Sequence, residues 1–365
     1  MASPGDTILV SAGTYYEQLW IEKAIKLVGE SGSNTITDGS LGGSPRQTVN
    51  IRASNVEVRR FTIENGDNER AIDIVGASVH NVTICENNIR LHKHEGIRIY
   101  DSYSNVIADN NVSYNARSGI YLWNSGGNVL RNNRLFNNTF NFKIATDSTY
   151  DLFYFSQDID TSNTVDGKPI YYWLDQHSKL IPQDAGIVCV VSSTKITVRS
   201  LNLTRNGHGV LFVNTSDSTI ENVTAAENEC GLRLVNSRRN ILSDNRLRNN
   251  TYFGVHLAGS DSSNNRLENY KLTESWFNLH MAHGSSNIAA GNNITNGDYG
   301  IAAGGSRNSF HHNNIINNTE QVLSFSPMEN NWHHSGLLEG NYWSDYAGAW
   351  TTEAVSGNML LRAME

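Results

Sequence analysis

Residues 95–138 read EGIRIYDSYSNVIADNNVSYNARSGIYLWNSGGNVLRNNRLFNN, and the repetition inside this stretch decides the fold. Gly96-Ile97-Arg98-Ile99 returns as Gly119-Ile120-Tyr121-Leu122. Each is followed by a polar turn and then by Asn105-Val106-Ile107 or Asn128-Val129-Leu130. Each unit closes on a double Asn, Asn110-Asn111 or Asn132-Asn133, and a third short strand. Three strands and three turns in about two dozen residues describe one coil of an all-β parallel β-helix. A unit this short cannot bury a face alone and must stack on its neighbours.

In such a stack, equivalent residues of successive coils lie about 4.8 Å apart. Strand side chains alternate, so Ile97 and Ile99 face the core while Arg98 and Tyr100 face outward. Working outward from this coil, the first-strand pattern recurs ten times, at Ala71-Ile72-Asp73-Ile74 and Asn141-Phe142-Lys143-Ile144 on either side and on to Gly300-Ile301-Ala302-Ala303. About ten coils make a rod roughly 50 Å long. The Gly that opens most of these strands is expected at a corner of positive φ.

The whole chain, 1–365, reads as one β-helix domain. Residues 1–48 form an opening coil, with a Gly/Ser-rich loop from Ser31 to Gln47. Coils fill 49–148 and 185–326. Residues 149–184 interrupt them, and Asp166-Gly167 ahead of an aromatic strand signals an inserted hairpin. Residues 327–365 are expected to cap the last coil, because an open end exposes unpaired strands. The chain starts abruptly, so other domains of a longer chain are expected to be missing.

Composition narrows the function. About one residue in eight is Asn, well above ordinary usage; Asn tolerates left-handed corners and hydrogen-bonds along its own stack. The net charge of −8 argues against nucleic acid, which calls for a basic stripe. No apolar run reaches spanning length, so no membrane insertion is expected. Cys85, Cys189 and Cys230 show no metal or redox spacing, and Cys189 reads as core.

The residues 163–173, NTVDGKPIYYW, the coils of form Gly-Ile-x-Leu-x-x-Ser-x-x-Asn, and 340–346, GNYWSDY, together resemble the NosD-like, CASH-repeat proteins. The resemblance covers nearly the whole chain. It implies a single-stranded right-handed parallel β-helix of the pectin-lyase type. It also implies a secreted or cell-surface location, as in archaeal surface proteins such as disaggregatases, or a periplasmic one, as in the copper-maturation accessory proteins. The family fixes fold better than function.

The outward ladder reads Asp73, Arg98, Tyr121, Lys143, Val188, Leu211, Arg233, His256, His280 and Ala302, with Tyr100 and Trp123 beside it. Arginine takes a carboxylate bidentately and aromatic rings stack on a pyranose. The expected partner is therefore an acidic, uronate-containing polysaccharide, bound by Asp73, Tyr100, Trp123, Arg233 and His256. A solvated face of mixed polar residues is the alternative. If the groove cleaves, a polysaccharide lyase acting by β-elimination is the first candidate. Arg98 and Lys143 would face uronate carboxylates and Tyr121 would act as base, with His94 and Glu95 in reserve. Asp67 to Arg70 lie one coil earlier. Gly207-His208-Gly209 resembles a motif of β-helical glycosidases, but Asp184 lacks the flanking aspartates that hydrolysis needs. Acids are not clustered for calcium. No cofactor is expected on this reading. The rival, a non-catalytic copper-maturation partner, would use His256 and His280 in one column, with Met281 and His283 close by. His311-His312 and His333-His334 would be split by strand alternation unless they lie in turns. A purely structural carbohydrate-binding surface module is the third reading.

Overall fold

Alternation and stacking also organise the structure, a computed structural model that describes residues 2–41, 47–66, 70–147, 149–324, 330–334, 336 and 339–345. The chain divides into two units, one of residues 1–172 with 205–207, the other of residues 173–204 with 208–365. Each is a right-handed parallel β-solenoid. Asp67 and most of the expected cap, residues 346–365, lie outside the described residues.

In the first unit each coil contributes a strand to three sheets. Thr7–Val10 opens a seven-stranded first sheet, and Leu19–Ile21 opens a six-stranded third sheet. The second sheet, opened by Gly13–Tyr15, lies between them along the coil and includes Asn88–Arg90 and Asn111–Ser113. In the third sheet Ile97 pairs in register with Ile72 on one side and Ile120 on the other. Ile72, Ile97, Ile120 and Phe142 form one inward column, and Ile74, Ile99, Leu122 and Ile144 a second; none is more than 1% exposed.

Asparagine does two jobs. Some occupy left-handed corners, as Asn132 and Asn137 do. Others are buried in ladders. Asn87, Asn110, Asn133 and Asn163 each accept, on the side-chain oxygen, the backbone N–H of the ladder member one coil back, where there is one. Their amide NH2 groups donate to backbone carbonyls, at 2.9 Å from Asn110 to Ile84. In this ladder the buried amide oxygens and NH2 groups are paired, which removes the main cost of burying an amide.

Three expectations change. The opening glycines Gly96 and Gly119 do not have positive φ. They are needed because a Cβ would meet the next coil, at 2.5 Å from Val112 Cγ1 for Gly96 and 2.7 Å from the Asn141 carbonyl for Gly119. Second, Thr35–Asp38 is a strand inside the segment read as loop, with Thr35 and Thr37 buried. Gly and Ser on both sides masked this β-branched run. Third, there are about 13 coils. Leu19–Ile21 and Val49–Ile51 belong to the third sheet, and Glu320–Ser324 pairs beyond Tyr299–Ala303 in the second unit, all without the Gly-Ile signature.

Within residues 149–184, Asp158–Ile159 and Thr164–Val165 extend the first and second sheets of the first unit in parallel. Thr164 and Val165 then pair antiparallel with Pro169 and Lys168. The turn uses Asp166 at φ 47° and Gly167 at φ 79°, the geometry that Asp-Gly favours. Part of this segment is therefore a coil.

The second unit repeats the plan. A six-stranded sheet starts at Thr197–Arg199 and a seven-stranded one at Asn202–Thr204. The latter ends on Tyr342–Trp343, where Trp343 pairs with Ile315. In the remaining sheet Cys189, and not Val188, pairs with Leu211. The ladder position in that coil is thus Cys189, because Gly186 is one residue out of step with Gly209.

Candidate functional site

The third sheet of the first unit carries Asp73, Arg98, Tyr121 and Lys143 in one outward column, one per coil. Tyr100 and Trp123 pair in the column two residues further on. Asp73 is fully buried. It accepts two hydrogen bonds from Arg98, from Nε at 2.7 Å and Nη2 at 2.8 Å. Burial works to lower the Arg98 pKa, but the bonds and charge of Asp73 outweigh it and raise it. The Arg98 guanidinium lies 4.8 Å from the Tyr100 ring centre.

Tyr100 and Trp123 are 6.3 Å apart and only 5° from parallel, since coil stacking places them one above the other. Tyr121 meets Trp123 edge-on at 6.1 Å. Lys143 Nζ sits 4.5 Å over the Tyr121 ring. Gly207 packs against Lys143, where a Cβ would come within 2.7 Å of the lysine Cβ. This face thus offers two parallel rings, one perpendicular ring and a lysine ammonium. The bidentate fork of Arg98 is engaged by Asp73.

The reserve candidates are also engaged. Glu95 is buried and ion-paired with Arg70 at 2.8 Å. His94 precedes it in the same turn. The neighbouring His92 is buried, donates from Nε2 to the Ile63 carbonyl at 3.2 Å, and has its pKa pushed down to about 4, chiefly by burial.

Arg233 and His256 belong to the second unit. His256 and His280 pair in register and stack at 4.8 Å with an 11° interplanar angle. Phe253 stacks on His256 at 4.3 Å and Phe277 on His280 at 5.1 Å. Tyr299 continues the ring column 4.7 Å beyond Phe277. Burial, then the charge of Arg233 and of other histidines, holds the His256 pKa well below its usual range. Burial and His283 bring His280 to about 4. The sequence reading missed this stack, although Phe253-Gly-Val-His256 and Phe277-Asn-Leu-His280 repeat it one coil apart.

These residues do not fit one copper ion as placed. Imidazole lone pairs lie in the ring plane, so near-parallel stacked rings aim their nitrogens side by side and not at one point. Met281 is fully buried and faces the core, opposite to its strand neighbour His280; alternation excludes it from any shared site. His311 and His312 do meet, Nδ1 to Nδ1 at 3.0 Å, because His312 is a left-handed corner residue. His312 Nε2 also bonds Glu339 at 2.7 Å. Among the described residues, no group of three or more His, Cys, Asp or Glu side chains is placed to hold a metal ion.

The profile of the NosD family, described as a periplasmic copper-binding protein, matches residues 5–175 and 161–348. The chain belongs to the NosD family. No curated protein matches it in sequence. Among solved structures, this NosD-family chain is similar to the Dettilon tailspike protein at 14% identity, over 89% of this chain and 63% of that one, with TM-score 0.36. It is similar to the catalytic domain of an alpha-1,3-glucanase in complex with tetrasaccharides, at 14% identity over 92% and 65%, with TM-score 0.39. It is also similar to the A-module of a mannuronan C-5 epimerase from Azotobacter vinelandii, at 14% identity over 93% and 90%, with TM-score 0.32. The chain spans just under two thirds of the tailspike and glucanase chains. Among the described residues no helix is long and apolar enough to cross a membrane.

Proposed function

We propose that the first unit binds an acidic, uronate-containing polysaccharide along the outer face of its third sheet, as an exported NosD-family protein. One observation carries the reading: Tyr100 and Trp123 present parallel rings on adjacent coils beside a lysine. Parallel rings on adjacent coils match a sugar chain lying along the coils, and Lys143 faces its carboxylates. Tyr121 walls the platform, and Asp73 positions Arg98. Arg233 and His256, in the second unit, are not needed for this platform.

Cleavage by β-elimination asks for more. It needs a cation committed to the C5 carboxylate, and Arg98 is largely neutralised by Asp73. It needs a base, and Tyr121 has Lys143 over its ring face. Binding without turnover is the reading we advance. Copper enters through the family's description, but the stacked His256 and His280 and the inward Met281 do not support a site there.

Affinity electrophoresis in gels containing polygalacturonate, alginate or neutral dextran tests this. Retardation by the two uronans and not by dextran is expected. Trp123→Ala and Lys143→Ala should each weaken it about tenfold, the scale of one stacked ring or one charge-assisted bond. Equal retardation of wild type and both variants would remove this face from binding. Release of unsaturated, ultraviolet-absorbing product would instead establish a lyase.

A further inference from the structure

The second sheet of the first unit holds a cleft of about 610 Å³, on a different face from the platform above. In register across three coils, Arg90 pairs with Ser113 and Ser113 with Phe136. Ser113 is small and buried, so it forms a floor between two larger neighbours. Arg90 is ion-paired with Glu64 at 2.7 Å, on the coil away from the cleft, and its stem makes one wall. Phe136 makes the other. The gap spans two strand spacings, roughly 10 Å, wide enough for a sugar ring.

Two features set this cleft apart from the coils on either side of it. The first lies at its edge. The corner after the second-sheet strands Thr62–Glu64, Asn88–Arg90, Asn111–Ser113 and Arg134–Phe136 is left-handed, and Asn65 and Asn137 fill it on the outer two of these coils. On the two coils between, it holds Leu91 at φ 63° and Tyr114 at φ 56°. Bulky residues are strained at positive φ, and strain retained on a surface marks a site. Both side chains are also exposed, Leu91 by 49% and Tyr114 by 55%. Tyr114 stands edge-on to Phe136 at 6.1 Å. The second feature is Arg134. It is exposed and, among the described residues, has no carboxylate partner. It lines this cleft and a neighbouring one of about 320 Å³. Arg131, three residues earlier, is by contrast ion-paired with Asp158 and Asp160.

We propose that this cleft is a second saccharide site, which takes one acidic pyranose of a uronan. The ring lies over Ser113 against Tyr114 and Phe136, and its carboxylate meets the Arg134 guanidinium. Asn111, whose amide donates to Asn88 at 3.1 Å, offers its carbonyl to a sugar hydroxyl. The proposal is independent of the third-sheet platform.

Isothermal titration with tetragalacturonate tests it, with cellotetraose as the neutral probe. Wild type should bind tetragalacturonate at two sites and cellotetraose far more weakly. Arg134→Ala should weaken one site at least about tenfold. Tyr114→Asn should do the same while leaving the melting temperature equal or higher, because Asn suits the left-handed corner; a residue of merely structural value would lower it. The platform variant Trp123→Ala/Lys143→Ala should keep the second-sheet site. If that variant loses all binding, or if Arg134→Ala and Tyr114→Asn bind as wild type, the second-sheet site is overturned while the platform stands. If wild type binds no tetragalacturonate, both fail. Loss of binding in Arg134→Ala with none lost in the platform variant sinks the platform alone.

Discussion

Arg98→Ala is the perturbation that most directly separates an anchoring role from a ligand-binding one. Asp73 is fully buried, and its carboxylate receives two hydrogen bonds, at 2.7 and 2.8 Å, both from Arg98. Removing the guanidinium leaves a buried carboxylate without its partner. Such losses cost about 3–5 kcal/mol, and the residual exposure of Arg98 places this one near 3 kcal/mol, roughly. Asp73→Ala should cost less, because the longer Arg98 can swing its charge to water. The double Ala variant should then be more stable than the two single losses added together imply, with a coupling of about 1–3 kcal/mol. Urea unfolding followed by circular dichroism measures all three. An Arg98→Ala loss below about 1 kcal/mol, or strict additivity in the cycle, would refute the reasoning. Arg98 would then not be anchored on Asp73, and its fork would be open to a uronate.

Four further outcomes are expected. Ile120→Asp places an unpaired carboxylate in the dry core, costs several kcal/mol and should give insoluble protein; a soluble, folded variant would mean the inward face is misassigned. Gly119→Ala should destabilise, because its Cβ would stand 2.7 Å from the Asn141 carbonyl; an unchanged unfolding midpoint would remove the close-approach argument. His92 and His280 have folded pKa values near 4, against about 6.5 in the unfolded chain. Between those limits the unfolded chain binds more protons, so stability is full above about pH 6.5 and falls as pH drops towards 4, by up to about 1.4 kcal/mol per pH unit for each histidine. His280→Phe should flatten that slope, and an identical slope would show that His280 is charged in the fold. Copper titration of wild type and of His256→Ala/His280→Ala should give the same stoichiometry, and loss of one equivalent in the variant would restore a metal role to that stack.

The fold was legible because the coil is a lattice. One alternation rule and one period assign Ile97, Ile120 and Phe142 to the core without any coordinates, and the register Arg98 to Tyr121 to Lys143 follows from the same count. The lattice also explains the errors. Reading Gly as a corner signal put Val188 in the outward column, since Gly186 stands one residue out of step; the true occupant is Cys189. Met281 was grouped with His280 by proximity in sequence, although adjacent strand residues face opposite ways. The count of ten rests on the Gly-Ile-type strands alone, so coils without that signature, such as that of Glu320–Ser324, fall outside it.

The site was harder to read because a period gives positions and not partners. Asp73 beside Arg98 was visible as a column neighbour, yet only burial of the carboxylate turns the pair from two ligands for a sugar into one internal bond. The same holds for Glu95 and Arg70, where a candidate base proves to be half of an ion pair. Arg134 shows the converse. Its second-sheet column, Asn88 to Asn111 to Arg134, carries no aromatic signal of the kind that singles out the first-strand column. What marked it was a breach of the lattice: Leu91 and Tyr114 at corners where the outer coils use Asn. In a solenoid, residues that obey the repeat are explained by the repeat, so the candidates for function are the positions where the corner, ladder or column takes a residue that its place does not favour.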